Sequence, residues 1–183
     1  MAFFDLPKEE SIPPEARHWL EELKRLRGIA EIPASRLAYV STPWILEAQV
    51  SAETHLFNQR SGRSKFSWEA RMFAFMLVAH ARRCTGCFGA SRGGLVALGF
   101  DEAALDDICA NPVGLPLPER DQLFVRYVLH FALDAQGVTP KNFREMGAQG
   151  LTPDDVREMI GFAAFCMFNT IFTTLANTAL RDE

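Results

Sequence analysis

Cys84 and Cys87 stand in the stretch ARRCTGCFGAS, separated by two residues and preceded by Arg82 and Arg83. Thiols at this spacing can cycle between dithiol and disulfide, supply half of a metal site, or fill small gaps in a core. If one helix ends near Arg82–Arg83 and another begins at Cys84, both sulfurs fall in a first helical turn. There, free backbone N–H groups and the helix dipole favour an anion, and inward-turned arginines would add to that potential. Each effect lowers a thiol pKa, and the thiolate is the nucleophile. The spacing then lets Cys87 present a thiolate while Cys84 closes the disulfide. Such a pair can reduce a peroxide, a disulfide or a sulfenic acid.

Proton-carrying groups near the pair are few. His80 lies one turn before Cys84. A helical hairpin folded near residue 82 would bring it beside the cysteines, where an imidazole can move protons. A histidine packed on an apolar helix fits the same position. Glu69 is the carboxylate of the preceding helix, and reads as a relay member, a first-turn charge that suits the dipole, or a solvent-facing residue. A zinc site needs four ligands, and Cys109 and Cys166 are isolated among apolar residues with no second CxxC and no HxxxH. They read as small core residues, no metal or cofactor is implied, and His18, His55 and His130 read as structural.

The elements that must position these groups read as helices. Ser11-Ile12-Pro13-Pro14-Glu15 opens one that runs to about Arg27, with Gly28 ending it. Ser41-Thr42-Pro43 opens a second, Trp44 to Asn58, and 61–65 is a polar loop. Ser67 caps WEARMFAFMLVAHAR, and Gly99 is a C-cap candidate ahead of DEAALDDICA. ERDQLFVRYVLHFALDA has apolar positions at i, i+3, i+4 and i+7, and Thr139-Pro140 and Thr152-Pro153 open the last two helices. Alternating β-branched runs and Asn-Gly or Asp-Gly hairpins are missing from the sequence, so the fold class is all-α. A thioredoxin-type CxxC follows a strand. Here a long helix leads into it.

Length sets one domain, 1–183, with residues 1–12 as an extended N-terminal arm. A net charge of −4 with scattered basic residues excludes a phosphate-tracking surface, hence no nucleic acid. The N-terminus has no basic region followed by an apolar run, so a cytoplasmic, reducing setting is expected. From Met159 to Leu180 no charged residue occurs, a run long enough to span a bilayer. Asn169, Thr170, Thr173, Thr174, Asn177 and Thr178 nevertheless recur there at helical spacing. That stripe predicts a helix buried in protein, for example at a subunit contact, and no membrane insertion. The phenylalanines of 66–75, 124–131 and 162–172 fit core packing better than a ligand pocket.

With these residues in place, the chain resembles the carboxymuconolactone decarboxylase superfamily on its AhpD-like alkylhydroperoxidase side, over nearly the whole length. The resemblance rests on IPPEARHWLEEL, STPWILEAQ, CTGCFGASRGGLVALGFDEAAL and GLTPDDVREMIGFAAFCMFNTIFTTLAN, the last with the pair Phe168-Asn169. It implies an AhpD-like helical bundle with the CxxC at the N-terminus of a core helix, assembled as a dimer, trimer or hexamer. It implies thiol-dependent reduction of an organic hydroperoxide or a disulfide, Cys87 attacking, Cys84 resolving, and a dithiol or protein reductant restoring the pair. Members carry a glutamate twelve residues before the first cysteine and a histidine four after the second. This chain has Met72 and Ser91 there. Met72 cannot carry a proton, and Ser91 can at most hydrogen-bond a thiolate or a water, so His80 and Glu69 become the substitute candidates. A non-catalytic or redox-responsive helical binding protein is the alternative, and lactone decarboxylation the third reading.

Overall fold

The computed structural model describes residues 4–57 and 64–181. Its helices are α1 (Pro14–Arg27), α2 (Ala34–Leu37), α3 (Pro43–Ala52), α4 (Trp68–Ala81), α5 (Thr85–Ala97), α6 (Glu102–Ala110), α7 (Glu119–Leu133), α8 (Pro140–Ala148) and α9 (Pro153–Ala179). Among the described residues there is no strand, and the fold is all-α. Its organisation follows from α4, which carries apolar side chains on every face and must be surrounded. Met72, Phe73, Ala74, Met76, Leu77, Val78 and Ala79 are all buried, and α4 packs against α5, α7 and α9. Phe124 and Val128 of α7 and Phe162 and Phe165 of α9 complete this core. A smaller cluster beside it joins Ala16 and Leu20 of α1 to Val40 and Leu46.

Local signals in the sequence account for most helix ends. The Ser67 hydroxyl accepts from the Ala70 amide at 3.0 Å, and Asp101 accepts from Ala104 at 3.0 Å, each satisfying a first-turn N–H. Gly99 and Gly150, at φ +93° and +81°, end α5 and α8. In both cases the following amide reaches back to close the last turn, Phe100 to Leu95 and Leu151 to Met146, each at 3.1 Å. Three expected boundaries move. The second expected helix regularly ends at Ala52 and passes into a wider π turn, Glu53–Phe57; Asn58 and most of the expected 61–65 loop lie outside the described residues. The α7 helix stops at Leu133, where Asp134 takes up an extended φ of −141° and accepts from the Gly137 amide. In the N-terminal segment, Glu9–Ser11 form a 3-10 turn, and the Phe4 amide donates to Ala179 O at 3.0 Å.

The long helix α9 is held at both ends. At its start, Thr152 and Asp155 form a capping box, with Asp155 Oδ2 accepting from the Thr152 amide and hydroxyl, both at 2.7 Å. Arg120 adds an ion pair to the same oxygen at 2.7 Å. One turn on, Glu158 pairs with Arg71 of α4 and accepts from the Ser64 hydroxyl. Asp121 of α7 accepts from the Ser67 amide at 3.1 Å. Three helices are thereby fixed around the start of α4. By length and composition α9 could cross a membrane, yet half of its most apolar stretch is buried inside the protein. Asn169, Thr170 and Thr173 of its polar stripe are buried, as expected for a helix walled in by its neighbours.

Burial pushes the Asp155 carboxyl up, but the Thr152 donors and Arg120 outweigh it and hold the group below the usual aspartate range. A depressed carboxyl adds stability above its unfolded pKa and loses it as pH falls through the folded value. Asp155→Ala is therefore expected to cost about 1 kcal/mol in urea unfolding at neutral pH. The gap to wild type should close progressively at acidic pH; a gap that stays constant down to acid unfolding would contradict the assignment.

Candidate active site

The cysteine pair sits where α4 turns into α5, and the turn is made by the backbone. The Arg83 amide donates to His80 O at 3.0 Å and the Cys84 amide to Ala79 O at 2.9 Å. This is the closure that Gly99 and Gly150 make, with one difference: the left-handed residue is Arg83, at φ +55°. A side chain there costs about 1 kcal/mol relative to glycine. The reversal leaves Cys84 as the N-cap of α5 and Cys87 two residues into its first turn. Their Cα atoms are 5.3 Å apart and the sulfurs are joined as a disulfide.

The disulfide is buried, with Cys84 at 1% exposure and Cys87 at 6%, so Cys87 is the slightly more exposed residue of the two. Phe75 and Ala79 of α4 and Phe88 of α5 pack around the pair. The third wall is α9. The Asn169 carbonyl oxygen lies 3.9 Å from Cys87 Sγ, placed to accept from that thiol in the reduced form. Thr173 and Asn177 press on Gly86, where a Cβ would come within 3.3 Å of the Asn177 amide and 3.4 Å of the Thr173 methyl. The polar stripe of α9 is thus the surface that receives the first turn of α5.

Behind that wall is a buried arginine. Arg36 of α2, 3% exposed, donates from Nη2 to Asn169 Oδ1 at 2.7 Å and from Nη1 to Gln49 Oε1 at 2.6 Å. Asn169 Nδ2 in turn donates to Phe165 O. Beside them Arg27 makes a two-pronged ion pair with Glu53, at 2.6 and 2.7 Å. Sequence reasoning left Arg36, Gln49, Arg27 and Glu53 without a role. A signal was present for two of them: Gln49 and Glu53 are spaced four apart, on one face of the expected helix from Trp44.

The expected site residues divide sharply. The pair lies at the start of α5, as its spacing suggested. Arg82 and Arg83 are exposed and do not turn inward. His80 is exposed too, its ring 5.4 Å from that of Phe88, and among the described residues no hydrogen bond joins it to either cysteine. Ser91 is buried one turn after Cys87, and its hydroxyl is directed to the carbonyls of Cys87 at 2.9 Å and Phe88 at 3.1 Å. Glu69 lies in the first turn of α4, about 20 Å along the helix from the cysteines, so the fold does not bring it to the pair. Met72 is buried, its methyl filling the space over Gly94. Cys166 is buried in the core, which pushes its thiol well up, and Cys109 is half-buried with its thiol also raised by burial.

No protein-family model matches this chain, and no curated protein does. Solved structures do. The crystal structure of an alkylhydroperoxidase AhpD core, an uncharacterized peroxidase-related protein from Ralstonia eutropha JMP134, superposes with a TM-score of 0.76 over 100% of this chain and 92% of its own, at 17% identity. An uncharacterized peroxidase-related protein from Silicibacter sp. TM1040 gives the same TM-score, coverage and identity. The chain has the AhpD-like fold. Within it, a CxxC pair occupies the start of a core helix, as the sequence resemblance implied.

Because the strain at Arg83 is a backbone property, Arg83→Gly is expected to raise stability by about 1 kcal/mol while leaving the Cys84–Cys87 disulfide in place. Chemical denaturation of the oxidised protein measures the first, and thiol counting the second. Destabilisation by the glycine would show that the Arg83 side chain, rather than its backbone conformation, holds the turn.

Proposed function

We propose that the protein is a thiol-dependent oxidoreductase that reduces organic hydroperoxides or disulfides through Cys84 and Cys87. The observation that carries this reading is the pair itself: two cysteines disulfide-bonded at the start of a core helix, the second the slightly more exposed residue. In the reduced form, the positive end of the α5 dipole favours a thiolate at Cys87 in that turn. The thiolate attacks the outer oxygen of the hydroperoxide; the O–O bond breaks, the alcohol leaves with a proton, and Cys87 becomes a sulfenic acid. The Cys84 thiol then attacks that sulfur, forming the disulfide and releasing water. An external dithiol reduces the pair and leaves as its own disulfide.

Proton transfer is the step this chain arranges unusually. Met72 and Ser91 supply no relay, and His80 is the imidazole on the last turn of α4, open to water and one ring contact from Phe88. In this reading His80 exchanges protons with the site through solvent, while Ser91 fixes the Cys87 carbonyl and so the turn that carries the sulfur. Glu69 takes no part. Assembly with further copies belongs to the same reading, supported by the exposure of Trp44, Ile171 and Leu175. The burial of both sulfurs favours a second reading, a redox-responsive binding protein in which the disulfide serves the fold.

Turnover of an organic hydroperoxide with dithiothreitol separates the two. Wild type is expected to consume peroxide continuously, Cys87→Ser to lose activity entirely, and Cys84→Ser to react once and stop with a sulfenic acid that a dimedone probe traps. His80→Asn should slow turnover about tenfold or more. Wild-type protein that stays inert towards hydroperoxides and disulfides alike would sink the oxidoreductase reading and leave the binding protein.

A further inference from the structure

We infer that Arg36 is a positioning residue for the cysteine couple: its buried guanidinium, held by Gln49 and Asn169, is a positive charge kept behind Cys87 that favours the reduced pair in its thiolate form. The inference rests on the reading of Cys84 and Cys87 as a redox couple.

A buried cation normally faces a carboxylate. Arg36 does not: both side chains that accept from it are neutral amides. The nearby carboxylate, Glu53, is engaged by Nε and Nη2 of Arg27. Glu53 is thus shared between two cations, Arg27 at the surface and Arg36 in the interior, and its direct ion pair goes to Arg27. Gln49 offers no relief, since among the described residues its buried Nε2 has no acceptor and only its oxygen turns to Arg36. Burial, and then the neighbouring Arg27 charge, push the guanidinium down to about 10 against the opposing pull of Glu53, which still leaves it protonated at neutral pH.

One residue separates that charge from the sulfur. Asn169 takes the Arg36 hydrogen bond on its side chain and lies 3.9 Å from Cys87 Sγ with its backbone carbonyl. That carbonyl by itself suits a neutral thiol. The cation behind it and the amides of α5 act in the opposite sense. Other charged groups near the couple are poorly placed to do this work. At the end of α4 and in the turn after it, His80, Arg82 and Arg83 are exposed. On α5, Arg92 is tied to Glu102 and Asp106. The facing part of α9, 165–178, holds Cys166 as its sole titratable side chain, and Tyr39, after α2, donates its hydroxyl to Phe172 O. Reduction leaves two electrons from an external dithiol on the pair, one proton on Cys84 and, when Cys87 ionises, one released to water. A fixed cation favours the ionised product.

The test titrates reduced protein by thiolate ultraviolet absorbance and measures the dithiol–disulfide equilibrium against dithiothreitol, with folding checked by circular dichroism. No peroxide is involved. A protein inert towards hydroperoxides can still pass this test, and an active one can fail it. Arg36→Met is expected to raise the midpoint of Cys87 ionisation by about one pH unit and to shift the equilibrium towards disulfide. Arg36→Lys, which keeps the charge but not the fork, should stay within a few tenths of a unit of wild type. Glu53→Gln leaves Arg27 uncompensated and should move the midpoint down. A role confined to packing predicts neither the rescue by lysine nor that change of sign. A folded Arg36→Met with an unchanged midpoint overturns the inference. Should Arg36→Met fail to fold, a Glu53→Gln midpoint that rises or stays fixed overturns it equally.

Discussion

A single backbone hydrogen bond, from the Cys84 amide to Ala79 O, closes the reversal on which the site is built. It ends α4 and starts α5 within three residues, and it does so only because Arg83 accepts a left-handed conformation. Had the chain continued as helix, Cys84 and Cys87 would lie on a helix interior, with amides committed to intrahelical bonds. With the reversal, the cysteines share a first turn whose N–H groups have no such commitment. The same reversal sets α5 antiparallel to α4 and presses Gly86 onto α9, so burial of the disulfide follows from the turn as well. Elsewhere in this chain the same closure falls to glycine, at Gly99 and Gly150; the strained version stands next to the cysteine pair.

The order of helices and their caps was largely legible in the sequence, because each rested on a local cause. Ser67, Thr139 and Thr152 announce starts, and Gly28 and Gly99 announce ends, through interactions spanning no more than five residues. The cysteine pair was legible for the same reason. What escaped depends on contacts between residues far apart. Arg36 meets Asn169 across 133 positions, and nothing near Arg36 in the sequence marks it as buried. His80 and Glu69 show the converse. Both have the right chemistry and a plausible spacing, yet rotation about the helix turns His80 to solvent and length carries Glu69 to the far end of α4.

Polar groups inside this fold are sorted by position. At the start of α9, opposite charges meet directly: Arg71 with Glu158, Arg120 with Asp155. These pairs satisfy themselves and fix helices. Near the other end, the contacts to Arg36 are neutral amides, and the charge is left over. A buried ion pair is mostly a matter of geometry, whereas a buried unpaired cation projects a field that its neighbours must accommodate. Placing the second kind next to a group able to become an anion, and the first kind away from it, lets one all-helical interior combine rigidity with a chemically useful potential.

The wall that covers the disulfide is also the last long helix along the chain. α4 and α5 can form their hairpin from residues 68–97, but Asn169, Thr173 and Asn177 follow more than seventy residues after the second of these helices ends. During synthesis the two thiols therefore emerge, and can meet each other and any small oxidant, well before the surface that later shields them exists. Their protection is a late event in the life of the molecule, and a ribosome-bound chain holding only the first five helices presents the same two cysteines with one side still open to water.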